Sequence, residues 1–150
     1  MDGKLKQLIE NGDVFSYLEQ TGEAFTLGGI VVEGNKVGRT LGYPTANLKS
    51  DDISTVLPAQ GVYIARVKHN GSWYHAMVNI GIRPTLDMDH VTIEAHLFAF
   101  NKDIYGEEIQ IAFLDRIRDE MRFNSLAELK VQLDRDARLS KRLLQQIKWS

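Results

Sequence analysis

The chain has 150 residues, 43% of them hydrophobic and 25% charged, with a net charge near −2; that balance describes one globular domain with a real core, not a disordered or fibrous chain. It contains no cysteine, which excludes a disulfide framework and a thiolate metal site, and its slight acidity argues against a nucleic-acid binder. No apolar run approaches the ~18 residues of a membrane span, and "MDGKLKQLIENGD" lacks the apolar segment of a signal peptide, so a soluble cytoplasmic protein, away from membranes, is expected.

The first 22 residues read as two short helical pieces. Leu5, Leu8 and Ile9 fall at helical spacing until Asn11-Gly12 stops the pattern, and Asp13 caps a second piece carrying Val14, Tyr17 and Leu18. From Phe25 the chain turns β-branched and glycine-punctuated, "FTLGGIVVEG", which reads as a strand. The clearest element follows. "GVYIARVKH" and "SWYHAMVNIG" flank Asn70-Gly71, the strongest short-range hairpin signal. Across a two-residue turn His69 faces Ser72, Val67 faces Tyr74, Ala65 faces Ala76 and Tyr63 faces Val78. One face is therefore core and the other mixed.

"HVTIEAHLFAF" alternates next, with Val91, Ile93, Ala95, Leu97 and Ala99 on one face and Thr92, Glu94, His96, Phe98 and Phe100 on the other. "NKDIYGE" reads as a turn, and "EIQIAFL" (Glu108 to Leu114) as a further strand. Pro44, Pro58 and Pro84 all fall between strands, where a missing N–H costs little. Ser125 to Glu128 is a capping box. It opens one amphipathic helix over 125–147 whose apolar stripe includes Leu126, Leu129, Leu133, Ala137, Leu144 and Ile147. Short helices, five or six antiparallel strands and a final helix predict a closed or nearly closed β-barrel with the helix outside.

Four features carry chemistry. "EGNKVGRTLG" holds Gly34, Gly38 and Gly42, yet it is no Walker A loop. Three residues rather than four separate Gly34 from Gly38, Arg39 stands at the lysine position, and no βαβ unit surrounds it. Thr45 and Asn47 lie two apart on extended backbone, so both point to one side. A hydroxyl and a carboxamide oxygen suit Mg²⁺, which takes oxygen ligands and keeps room for water and phosphate; turn chemistry explains the same pair equally well. Glu94 sits in mid-strand, where glutamate is disfavoured, and reads either as a general base or as the partner of a cation such as Arg66. His96 beside it is a poor metal signature without a third ligand. Finally, "LDRIRDEMRF" is either a solvated charged loop or, through Arg118 and Phe123, a cradle for a planar anionic ligand.

In this order the features converge. "GRTLGYPTANL", "GVYIARV", "NIGIRPTL", "IEAHLF", "DIYGEEI" and "RIRDEMRFNSLAELKVQLDRD" resemble the riboflavin kinase family from about Phe25 to the end of the helix. The specific part is "PTAN" with "IEAHL" about fifty residues on. Residues 1–24 resemble the join that precedes the kinase module in bacterial bifunctional riboflavin kinase/FAD synthetases, which sets the expected domain at 25–150 and makes an adenylyltransferase module an expected partner of the full-length enzyme.

The resemblance implies a mainly β fold, a six-stranded antiparallel Greek-key barrel with a C-terminal helix. It also implies transfer of the ATP γ-phosphoryl group to the ribityl 5′-hydroxyl of riboflavin, giving FMN and ADP with Mg²⁺. Carried over residue by residue, Thr45 and Asn47 match the Mg²⁺–nucleotide ligands and Glu94 the catalytic base. Gly34, Arg39, Gly42 and Pro44 fall with them around the nucleotide, which Tyr105 also contacts. Arg118, Met121 and Phe123 fall in the flap bordering the flavin. Because an adenylyltransferase module would have to supply FAD synthesis, these 150 residues are expected to stop at FMN. Two rivals remain. A flavin- or nucleotide-binding barrel without activity does not need Thr45, Asn47 and Glu94 together, and an OB-like nucleic-acid barrel wants a basic aromatic face.

Overall fold

The computed structural model describes residues 1–34, 36–50, 56–84 and 89–147. In chain order the elements are α1 (Gly3–Glu10), α2 (Val14–Thr21), β1 (Phe25–Val32), α3 (Val37–Thr40), β2 (Ala46–Ser50), β3 (Gly61–His69), β4 (Ser72–Pro84), β5 (Asp89–Leu97), β6 (Glu108–Arg118) and α4 (Leu126–Gln146). The six strands close into an antiparallel barrel in the order β1-β2-β5-β4-β3-β6. β3, β4 and β5 form a meander, and β2 lies beside β5 rather than β3, which makes the path a Greek key.

Local chemistry sets the element ends. Asp2 and Asp13 cap α1 and α2 by accepting from the N–H groups of Lys4 (2.6 Å) and Ser16 (3.2 Å). Asn70 and Gly71, at φ 53° and 84°, make the tight turn between β3 and β4. The pairs His69–Ser72, Val67–Tyr74, Ala65–Ala76 and Tyr63–Val78 form as the hairpin predicts. Ser125 Oγ accepts from the N–H of Glu128 at 3.1 Å, while the Glu128 carboxylate reaches back to the N–H of Asn124 at 3.0 Å, one residue beyond the usual capping-box partner.

Several boundaries move. β2, around Asn47, and the single turn α3 have no separate signal in the sequence. β5 stops at Leu97, because Ala99 takes φ 54° and ends the alternation before Phe100. β6 continues four residues past Leu114, so Arg118 ends a strand instead of lying in a loop. Pro84 closes β4, paired with Asp89, rather than lying between strands.

The barrel interior is filled by alternate residues of all six strands, among them Tyr63, Ala65, Val78, Ala95, Ile111 and Phe113, each fully buried. Ile9 and Val14 are also fully buried in this cluster, so α1 and α2 pack as part of the same core. The outer face of β3 is less mixed than alternation suggests. Val62 and Ile64 are buried there as well, because α4 covers that side and forms a second cluster of Ile64, Leu114 and Leu144. Both faces of β3 are thus dry along its first half, and only its far end presents Lys68 to solvent.

Candidate active site

One register row across the barrel builds the site. Asn47 of β2 pairs with Val32 of β1 and with Glu94 of β5. Glu94 pairs in turn with Asn79 of β4, Asn79 with Val62 of β3, and Val62 with Arg118 of β6. Directly opposed residues project to the same face. The neighbours Ile93, Ala95, Val78 and Ile80 fill the barrel, so Asn47, Glu94 and Asn79 stand on the outer face. There they lie near the loop of residues 36–45, which carries α3, and near α4.

That loop is held by close backbone packing. The Gly38 carbonyl accepts from the N–H groups of Leu41 (3.0 Å) and Tyr43 (2.7 Å). A Cβ on Gly38 would stand 2.5 Å from the Tyr43 carbonyl oxygen, so a side chain there would force the turn open. A Cβ on Gly34 would overlap the Asn47 carboxamide outright. Gly34 therefore lets the Asn47 amide lie against the backbone, a packing requirement that its sequence neighbours do not reveal. His96 Nδ1 lies 2.7 Å from the Pro44 carbonyl, and its ring meets Tyr43 and Phe98 edge-on at 5.2 and 5.3 Å. Tyr43 donates its hydroxyl to Asp134 of α4, an acid also paired with Lys130 at 2.8 Å.

Two cavities open on this framework. The first, about 290 Å³, is lined by Gly34, Lys36, Arg39, Thr45, Asn47 and Tyr105 among others. Pro44 contributes to its rim, and Leu97, Phe100 and Ile104 give it an apolar end. The second, about 190 Å³, has Glu94, His96, Asn79 and Arg118 as its polar side and Met77, Val62, Leu129 and Leu133 as its apolar side. Thr45 lines both, and α3 divides its neighbours, with Arg39 toward the first and Val37 and Gly38 toward the second.

Arg118 forks onto Asp136 of α4, Nε at 2.9 Å from Oδ1 and Nη2 at 2.7 Å from Oδ2. Gln132 donates to the same carboxylate at 2.9 Å. Burial pushes the carboxyl of Glu120 up, while a hydrogen bond from Asn79 and the charge of Arg118 hold it down. Burial likewise lowers His96, against the raising effect of its bond to Pro44. Tyr43 is pushed up to about 12 by burial and then by its bond to Asp134.

Of the residues singled out in the sequence, Gly34, Arg39, Pro44, Thr45, Asn47 and Tyr105 meet at the first cavity and Glu94 and Arg118 at the second. Gly42, at φ 89°, makes the turn that leads into Pro44 and lines neither. Met121 is exposed, Phe123 is half-buried, and neither borders these two cavities. Asn79, Tyr43 and Asp136 join the site without having been singled out. Asp136 did carry a signal, as an acid three residues after Leu133 on the apolar stripe of α4. Asn79 carried none.

Thr45, which lines both cavities, offers a neutral hydroxyl oxygen, and Asn47 beside it a carboxamide. Among the described residues no three His, Cys, Asp or Glu side chains cluster as a metal cage. The Thr45 hydroxyl and the Asn47 carboxamide therefore fit a hard cation that brings most of its own oxygen ligands, as Mg²⁺ on a nucleotide does. They do not fit a resident protein-caged metal.

Comparison with known proteins shows the family. The family model Flavokinase, described as riboflavin kinase, matches residues 21–144. The bifunctional riboflavin kinase/FMN adenylyltransferase of Bacillus subtilis is 38% identical over 135 residues, which are 88% of this chain and 42% of that protein. A Streptococcus pneumoniae chain described as a macrolide-efflux protein superposes with a TM-score of 0.89 at 38% identity, over 100% of this chain and 47% of its own. The riboflavin kinase of Trypanosoma brucei superposes with a TM-score of 0.57 at 26% identity, covering 82% and 81% of the two chains. The chain thus spans about two fifths of the length of the curated relatives it matches.

Proposed function

The chain belongs to the riboflavin kinase family, and we propose that it phosphorylates riboflavin at the ribityl 5′-hydroxyl, with ATP as donor and FMN and ADP as products. The observation that carries this reading is the Thr45 wall. Two cavities of different character meet there, and Glu94 is the cross-strand neighbour of Asn47. A phosphoryl donor and an acceptor held on either side of one residue react without further transport.

In this reading ATP lies in the first cavity. Its base sits toward Tyr105, Phe100 and Ile104, and its phosphates lie toward Lys36, Arg39, Thr45 and Asn47. Thr45 Oγ and the Asn47 carboxamide oxygen would hold the Mg²⁺ of the nucleotide, which when bound neutralises phosphate charge. Gly34 keeps the Asn47 amide in place, and Arg39 supplies a cation at the phosphate end. Riboflavin enters the second cavity, its ring system against Met77, Val62, Leu129 and Leu133 and its ribityl chain toward Thr45.

Glu94 accepts the proton of the 5′-hydroxyl as that oxygen bonds to the γ-phosphorus. The bond from the γ-phosphorus to the bridging oxygen breaks, the electron pair leaves with ADP, and the proton passes from Glu94 to solvent. Phosphoryl transfer asks of a protein mainly positioning and charge neutralisation, which this arrangement is suited to supply. Arg118, clamped by Asp136, fixes α4 against the sheet and so shapes the second cavity. Met121 and Phe123 belong to the segment between β6 and α4, where a flap over bound flavin would form.

The test is one incubation of the purified chain with riboflavin, ATP and Mg²⁺, followed by chromatography. FMN and ADP formed in equal amounts are the expected result. Flavin binding without turnover would favour a non-catalytic flavin-binding barrel instead.

A further inference from the structure

Thr45 poses a problem of precision. It lies one residue before β2, whose ladder to β5 begins at the pair Ala46–Ala95. The Pro44–Thr45 peptide therefore lies ahead of the paired strand. The preceding residue is proline, which has no N–H to anchor. Contacts that hold this stretch include the Tyr43 N–H on the Gly38 carbonyl at 2.7 Å and the Pro44 carbonyl against His96 Nδ1 at 2.7 Å.

A carbonyl oxygen only accepts, so His96 must carry its proton on Nδ1 to make this bond. The imidazole is fixed in turn by its edge-on contacts with Tyr43 and Phe98, and Tyr43 is tied to α4 through Asp134. His96 also shares the outer face of β5 with Glu94, two residues away. One rigid strand thus carries both the proposed base and the donor that holds the turn before Thr45.

We propose that His96 is a positioning residue for phosphoryl transfer: its Nδ1–H holds the Pro44 carbonyl, and so sets the peptide from which Thr45 presents its hydroxyl to the metal–nucleotide. This rests on the kinase reading above for the identity of the ligand. A hydrogen bond that orients a metal ligand from behind is typically worth about 10- to 100-fold in metal affinity or activity. The contribution of His96 should fall in that range.

The test uses two amides of different reach. The side-chain nitrogen of asparagine is separated from Cβ by the same two bonds as Nδ1 of histidine, and that of glutamine by one more. His96→Asn keeps a donor facing the Pro44 carbonyl, whereas His96→Gln moves it away. Calorimetric titration with Mg·ADP should show His96→Gln weakened about 10- to 100-fold and His96→Asn close to the wild type. Metal-free ADP, whose cavity His96 does not line, should bind all three proteins alike. Nitrogen-15 spectra of the metal-free wild type should show the imidazole protonated on Nδ1. Equal Mg·ADP affinity in wild type and His96→Gln would overturn the proposal, as would Asn and Gln variants that lose Mg·ADP and metal-free ADP binding together, the mark of simple packing. A wild type that binds Mg·ADP with this pattern but makes no FMN would refute the kinase reading and leave the role of His96 standing.

Discussion

Arg118→Met should destabilise this protein more than any other single change at the second cavity. The Arg118 side chain is 15% exposed and that of Asp136 4%, so the pair is close to dry, and removing the cation leaves a carboxylate buried in the α4 interface. Breaking a buried pair from one side costs about 3–5 kcal/mol. Gln132 still donates to Asp136 at 2.9 Å, which places the expected loss near the lower end, about 3 kcal/mol. For a chain of this length each kcal/mol lowers the melting temperature by about 2–4 °C, so a drop of about 6–12 °C is expected.

The double variant Arg118→Met/Asp136→Leu removes both charges and fills the space with apolar atoms. It should regain most of the loss, because replacing a buried pair entire is often neutral or stabilising. Thermal unfolding followed by circular dichroism reads both. A single variant within about 2 °C of wild type, less than 1 kcal/mol would produce, would show that the Arg118–Asp136 fork does not hold α4. A double variant no better than the single would show that the damage is steric rather than electrostatic.

Glu94→Gln keeps the shape of the proposed base and removes its basicity; FMN formation should fall about 10²- to 10⁴-fold with riboflavin and Mg·ADP binding intact by titration, and loss of binding in step with rate would make Glu94 structural. Gly34→Ala forces the Asn47 carboxamide aside, so Mg·ADP affinity should drop about tenfold while the melting curve changes little; unchanged affinity by calorimetry would refute the packing role of Gly34. Ile9→Ala should cost about 2–5 kcal/mol in chemical denaturation, because Ile9 is fully buried in the barrel core; a loss below about 1 kcal/mol, outside that range, would mean that α1 is dispensable. Tyr43 and Tyr63 are both raised to about 12, chiefly by burial. The folded state keeps these protons where the unfolded chain loses them near pH 10, so their contribution is intact below about pH 10 and lost as pH rises toward 12. Absorbance near 295 nm should show two of the five tyrosines ionising late, and all five titrating together in protein still folded would refute it.

Much of this molecule is determined by short-range rules that a single chain displays. Asn70-Gly71 takes positive φ cheaply, so hairpin and register follow from composition alone. Asp2, Asp13 and Ser125 can satisfy helix N–H groups only locally, and the alternation in β5 decides which side chains face the core. The roles proposed for Thr45, Asn47 and Glu94 come from the resemblance to the riboflavin kinase family, because the residue types alone fit turn chemistry and an ion pair equally well. What needed the tertiary structure is everything that depends on closure of the barrel. β2 is five residues long and has no propensity strong enough to announce itself; it exists because β1 and β5 offer unpaired edges on both sides. Pairing of β2 with β5 brings Asn47 into one row with Glu94 and Asn79, which lie more than thirty residues further along the chain. Likewise, Gly34 is required by a side chain thirteen residues away, and Arg118 reads as a loop cation until α4 lays Asp136 against it. Contacts of that kind arise from how surfaces meet, and periodicity along one chain carries no record of which surfaces those are.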